Sequence, residues 1–256
     1  MQIGIIGVKF TGKTTLFNTI TGAGLPTGQG GVEPHRAIGK VPDPRLERLT
    51  ALFQPKRTVH AQVEWVDVPG FQGGAGPDGG REATRFLEHA RRVDALAQVI
   101  RCFDGGYGPP DPSGELATLA LELTLADLQI VENRLERLAK DKQRMGKVAN
   151  PLEPPLMERF RDLLENDRPL RDLDLNPDER KLAAGYAFLT QKPLIVVLNH
   201  EEGESAPAGV VAAAEAAGAE VVALCARVEE ELAELDPEEA REFLAALGIA
   251  EPALHR

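Results

Sequence analysis

Cysteine is scarce in this chain: Cys102 and Cys225 are the only two, far apart and without partners at metal-ligand spacing. That argues against a disulfide scaffold and fits a reducing compartment. Each lies in an apolar, strand-like run, where cysteine behaves as a small core hydrophobe. No apolar run approaches the ~20 residues that a membrane span needs. The N-terminus enters a strand at once, which leaves no room for a signal peptide. A soluble, cytoplasmic protein with no membrane partner is the expectation. Basic charge is also in deficit, with Lys+Arg at 29 against Asp+Glu at 40 and a formal charge of -11. An acidic surface is not a nonspecific grip on nucleic acid, although local basic patches remain open to it. At 256 residues the chain has enough length for a substantial core, as one large domain or one domain plus an insertion.

Against these absences stands Gly7-Val8-Lys9-Phe10-Thr11-Gly12-Lys13-Thr14, which matches G-x-x-x-x-G-K-[ST] at every required position. Glycines let the backbone wrap a phosphate so that successive N–H groups point at its oxygens. Lys13 supplies a point charge to the β- and γ-phosphates, and the Thr14 hydroxyl is a ligand for Mg²⁺. The flanks carry the specificity. Residues 1–6 read as a buried strand, and Thr15 onward begins a helix whose N-terminus adds its dipole to the anion site. A nucleoside triphosphate is the predicted ligand, with Gly7, Lys9, Phe10, Thr11, Gly12, Lys13, Thr14 and Thr15 around its phosphates.

Strands are predicted over 2–7, 37–41, 63–67, 97–103, 193–199 and 220–225. Helices over 44–53, 81–92 and 209–217 alternate with them. That alternation predicts an α/β fold, a doubly wound and mostly parallel sheet with ligands beyond the carboxyl ends of the strands. Gly7, Asp67, Asn199 and Cys225 all fall at such ends. The pattern breaks over 113–190, read as a helical insertion into a nucleotide-binding domain made of 1–112 and 191–256. A long amphipathic helix over 115–145 carries Arg134, Arg137, Lys140, Lys142 and Arg144 in its later half, with Lys147 just beyond it, read first as a solvated face and second as a docking surface. A proline-containing break over 150–155 follows, then helices over 157–165 and 177–190, the last with Asn176 as N-cap and Pro177 at its first position.

Two further motifs complete the site. Asp67-Val-Pro-Gly70 places a carboxylate near Mg²⁺ and the Gly70 N–H at the γ-phosphate. A glycine-rich run over 71–80 follows, read as a loop that orders on a γ-phosphate. At the end of the fifth predicted strand, Asn199-His200-Glu201-Glu202 stands where GTPases carry N-K-x-D. Glu202 replaces the guanine-reading aspartate and His200 the lysine, so selectivity for guanine is weakened. Cys225, Ala226 and Arg227 would contribute backbone contacts to the base.

Taken together these motifs resemble the Obg-related GTPases, and specifically the YchF subfamily. The likeness extends to Val32-Glu-Pro34, Val41-Pro-Asp-Pro-Arg-Leu46, Val99-Ile-Arg-Cys-Phe103, Leu125-Ala-Asp-Leu128, Phe188-Leu-Thr and Lys192-Pro193, then Ala233-Glu-Leu235 and Glu251-Pro252. The resemblance implies a GTPase-type domain with a helical insertion, ATP binding at least as good as GTP binding, and association with ribosomes or a protein partner through the insertion. Three positions depart from the family pattern. Phe10 replaces an asparagine of the phosphate loop, Gly31 replaces a threonine that ligates Mg²⁺, and the sequence stops at Arg256, where the family continues into a small β-rich TGS domain. Phe71 agrees with the family, which has a hydrophobic residue where Ras-like enzymes carry glutamine. The first expectation is a slow, Mg²⁺-dependent ATPase or GTPase acting as a switch, with no catalytic residue assigned. The second is a nucleotide-binding adaptor that does not hydrolyse.

Overall fold

Continuous apolar runs such as Leu194-Ile-Val-Val-Leu198 become central strands because both faces of the sheet are covered. The computed structural model describes residues 1–28, 33–70, 79–106, 108–249 and 251–253. The expectations placed on Gly31, Phe71 and the run over 71–78 lie outside these residues.

Chain order is β1 (Gln2–Ile6), α1 (Lys13–Thr21), β2 (His35–Lys40), α2 (Pro44–Phe53), β3 (Gln62–Asp67), α3 (Gly79–Arg91), β4 (Ala95–Cys102), α4 (Pro112–Met145), α5 (Glu153–Leu164), α6 (Pro177–Ala184), β5 (Leu194–His200), α7 (Ala208–Ala216), β6 (Glu220–Leu224), α8 (Ala226–Glu234) and α9 (Pro237–Leu247), with a 3-10 turn Leu170–Asp172 before α6. The strands form one sheet in the order β2-β3-β1-β4-β5-β6. All neighbours are parallel except β2 and β3, which pair antiparallel from His35 opposite Asp67 to Lys40 opposite Gln62. The fold is thus α/β with a mostly parallel sheet.

Alternation along each strand divides the core. On one face Ile3, Ile5, Val99 and Val197 pack with Leu16 and Phe17 of α1 and Ala226 of α8. On the other, Ile6, Val66 and Leu96 meet Phe86 and Ala90 of α3 and Leu119 and Leu123 of α4, while Ile100, Val196 and Leu198 meet Val210 and Ala214 of α7. The first turns of α4 therefore cover the sheet. Its later turns leave it, and Val131 and Leu138 join Leu156, Met157, Phe160, Leu164, Leu170 and Phe188 in a separate helical core. Among the described residues no helix is long and apolar enough to cross a membrane.

Two sequence expectations shift here. Pro154 and Pro155 begin α5, where a missing N–H costs nothing, so the break predicted over 150–155 is shorter. The helix expected over 177–190 ends at Ala184. Asp127 explains why: its buried carboxylate accepts from Leu189 N–H (3.0 Å), Thr190 N–H (2.7 Å) and Thr190 Oγ1 (2.8 Å), drawing that backbone away from helical pairing. The Asn176 cap is present as a full capping box with Glu179.

Candidate functional site

The phosphate loop follows β1 directly, and its glycines are set by close approach. Gly7 has φ 149°, and a Cβ there would lie 2.5 Å from the Val99 carbonyl oxygen of β4. Gly12, at φ 91°, caps the start of α1, and a Cβ would lie 2.4 Å from the Asn199 amide nitrogen. No other residue type fits either place without displacing backbone or a buried amide. Phe10 is also left-handed, at φ 66°, and is 40% exposed at the mouth of the cavity. A bulky side chain in that conformation is a genuine outlier.

Inside the loop, Lys13 is buried and its ammonium donates to the Val8 carbonyl at 2.5 Å. Burial pushes its pKa down to about 8, against the opposing pull of Asp67 and then Glu115. Thr14 Oγ1 donates to Asp67 Oδ2 at 2.8 Å. Burial raises the Asp67 pKa, partly offset by Thr14, Lys13 and His35. A hydroxyl and a carboxylate in contact, with a lysine close by, form a hard oxygen donor set of the kind Mg²⁺ prefers. Among the described residues no group of three His, Cys, Asp or Glu could hold a metal by itself. Gly70 sits on the loop so closely that a Cβ would come 2.6 Å from Lys13 Nζ. A side chain at this position would displace the lysine or the Val8–Lys9 backbone.

Asn199 is buried and acts as a brace. Its Nδ2 donates to the Thr11 carbonyl at 3.0 Å, and its Oδ1 accepts from Ala226 N–H at 2.9 Å. The amide thus ties the phosphate loop to the N-terminus of α8, and both its ends are engaged within the protein. Cys225 is the N-cap residue of α8, and Arg227 is exposed beside Glu231. His200 Nδ1 lies 2.9 Å from the Glu201 carbonyl oxygen, and Glu202 is exposed in the turn after β5.

A cavity of about 420 Å³ opens over the loop. Of the sequence-predicted residues it brings together Lys9, Phe10, Gly12, Lys13, Thr14, Thr15, Asp67 and Gly70. Gly7, Thr11, Asn199, His200, Glu202, Cys225, Ala226 and Arg227 do not line it; of the last six, Asn199 meets the loop at the Thr11 carbonyl and Ala226 meets Asn199. Lys9 turns away from a purely phosphate role: its ammonium pairs with Glu82 of α3 at 2.9 Å. Sequence reasoning missed His35 and Phe103, which also line the cavity. Phe103 follows β4 directly, so the rule that picked out the ends of β1, β3, β5 and β6 applied to it equally.

No family model matches the chain. A "Ribosome-binding ATPase YchF" of Pasteurella multocida (strain Pm70) is 38% identical over 267 residues, covering 100% of this chain and 73% of that protein. One of the same name from Bacillus subtilis (strain 168) is 38% identical over 269 residues, covering 99% and 73%. Among solved structures, the Schizosaccharomyces pombe YchF GTPase superposes with a TM-score of 0.78 at 28% identity, covering 97% of this chain and 71% of that one.

Proposed function

Since the chain belongs to the YchF subfamily of Obg-related P-loop GTPases, we propose that it binds ATP and GTP with Mg²⁺ and hydrolyses them slowly as a switch. The observation that carries this reading is the convergence on one cavity of Lys13, the Thr14–Asp67 pair and Gly70, with the loop tied to α8 through Asn199. Lys13 holds the β- and γ-phosphates, exchanging the Val8 carbonyl for a phosphate oxygen. Thr14 would hold Mg²⁺ directly and Asp67 through water, and the ion would neutralise charge on the transferring phosphoryl group. Gly70 N–H reports the γ-phosphate. Asn199 shapes the base site as a brace, which leaves His200, Glu202 and the Cys225–Arg227 backbone to meet the base itself. With no aspartate to pair the guanine edge, ATP and GTP both fit.

The relatives named for ribosome binding support a ribosome as partner and a cytoplasmic setting. We assign the docking surface to the helical part, 113–190, set into a nucleotide domain of 1–112 and 191–256. Arg137, Lys142, Arg144 and Lys147 are exposed there on an otherwise acidic chain. Phe10 favours a second reading, a nucleotide-binding adaptor, because it places hydrocarbon where the loop could offer a polar group to the triphosphate.

Calorimetric titration with ATP, GTP, ADP and GDP, with and without Mg²⁺, tests binding. The expected result is Mg²⁺-dependent triphosphate affinity for both bases. Multiple-turnover phosphate release separates switch from adaptor: turnover abolished by Lys13→Ala supports the first, and binding without turnover supports the second.

A further inference from the structure

Outside the motifs, one buried ion pair links the cavity wall to the first turn of α4. Arg101, near the end of β4, and Glu115, in α4, are 12% and 13% exposed, with Nε and Oε1 3.6 Å apart. The Glu115 Oε2 also accepts from the Arg101 backbone N–H at 2.9 Å. The guanidinium then turns outward and holds the β4–α4 connection. It donates to the carbonyls of Asp104 (3.0 Å), Gly108 (2.9 Å), Phe103 (3.4 Å) and Pro109 (3.4 Å). Arginine suits this task because its planar fork carries five donors. Phe103 forms part of the cavity wall. Two residues before Arg101, the Val99 carbonyl is pressed against Gly7 of the phosphate loop. Glu115 is also close enough to Lys13 for each charge to act on the other.

We infer that Glu115 couples the nucleotide site to the helical part: through Arg101 it ties the Phe103 side of the cavity to the first turn of α4, and it transmits filling of the phosphate site to that turn. This rests on the nucleotide-binding reading above. A triphosphate seated over the loop and against Phe103 bears on β4 on both sides of Arg101, on Phe103 itself and on Val99 through Gly7. Arg101 and Glu115 carry that load into the first turn of α4. The pair tightens, and with it the four carbonyls that Arg101 gathers and the start of the helix that carries the helical core.

Amide hydrogen exchange on the full chain tests this, using Mg²⁺ with either ADP or the β,γ-imido analogue of ATP at saturation. In wild type the imido analogue should slow exchange at least threefold both in 7–16 and in 101–118, with ADP doing less in the second segment. Glu115→Gln keeps an acceptor for the Arg101 N–H and nearly the same shape, so a purely structural role would survive it. We expect this variant to keep the protection of 7–16 and to lose that of 101–118, and Glu115→Asp to regain part of it. Should the Gln variant fail to fold, Arg101→Lys, which retains charge but not the fork, is expected to lose the same response. A Glu115→Gln response equal to wild type overturns the inference. So does a wild type in which 7–16 is protected and 101–118 is unchanged. If neither ligand protects 7–16, the nucleotide-binding reading fails and this inference fails with it.

Discussion

Lys13, Asn199 and Glu202 stand in three different settings: a buried cation, a buried amide and an exposed carboxylate. Lys13 is a buried cation whose ammonium donates to a carbonyl, and phosphate oxygens are the acceptors it is proposed to take in exchange. Removing one charge-assisted contact costs roughly 1.5–3 kcal/mol, about ten- to a hundredfold in affinity. Lys13→Ala should lose that much triphosphate binding by calorimetry while its circular dichroism stays native. Asn199 acts by joining parts. Asn199→Ala orphans the Thr11 carbonyl and the Ala226 N–H, at about 1–3 kcal/mol for each buried group. The expected outcome is a lower urea midpoint together with equal losses of ATP and GTP affinity. A loss confined to one base would instead make Asn199 a reader of the base. Glu202 and His200 are free of any such bracing duty, so His200→Lys combined with Glu202→Asp should shift preference toward GTP in competition binding, with little change in stability.

Helix α4 shows how one element serves two cores. Its early apolar residues, Leu119 and Leu123, seal the sheet, and its later ones, Val131 and Leu138, build the helical core. Asp127 lies at the changeover, fully buried, paired with Arg91 at 3.0 Å and accepting from Leu189 and Thr190. Breaking a buried pair by removing one partner typically costs about 3–5 kcal/mol, so Asp127→Ala should lower unfolding free energy by that order in urea titrations. Further along, Arg134 grips Glu153 of α5 with two hydrogen bonds of 2.8 Å, and Tyr186 donates to the same carboxylate. Arg134 foremost, and Tyr186 after it, hold the Glu153 pKa below the usual carboxylate value. A carboxylate with a depressed folded pKa contributes stability that is fully present above its unfolded value, about 4.3, and is lost as pH falls through the folded one. Acid titration of unfolding free energy should therefore fall more steeply below about pH 4.3 in wild type than in Glu153→Gln, where that carboxylate is gone. Parallel curves would remove the ion pair from the account.

For the whole molecule the expectation is slow chemistry and a permissive base site. GTPases without an arginine finger turn over at ~10⁻³ per second or below, and single-turnover phosphate release at saturating Mg²⁺ should be of that order. Preference between ATP and GTP should stay under about a hundredfold, some 2.7 kcal/mol, since more than that requires a fully paired base edge. Much of this was legible along the chain. The phosphate loop, the strands at Asp67 and Asn199, the Asn176 cap and the long α4 are local features, set by backbone freedom, capping and apolar periodicity within a few residues. Other features were not legible. The ending of α6 at Ala184 depends on Asp127, whose hydrogen bonds reach 62 and 63 residues along the chain. The role of Asn199 depends on Thr11, 188 residues away. Local sequence therefore determined that this protein has a phosphate-binding loop on a mostly parallel sheet, because a single turn needs only its own glycines and flanks. Strand order alone decided what surrounds that loop, from Gly70 against Lys13 to the Val99 carbonyl against Gly7. Those are interactions between charges and backbones that share no stretch of sequence, and they exist only once β1 lies between β3 and β4.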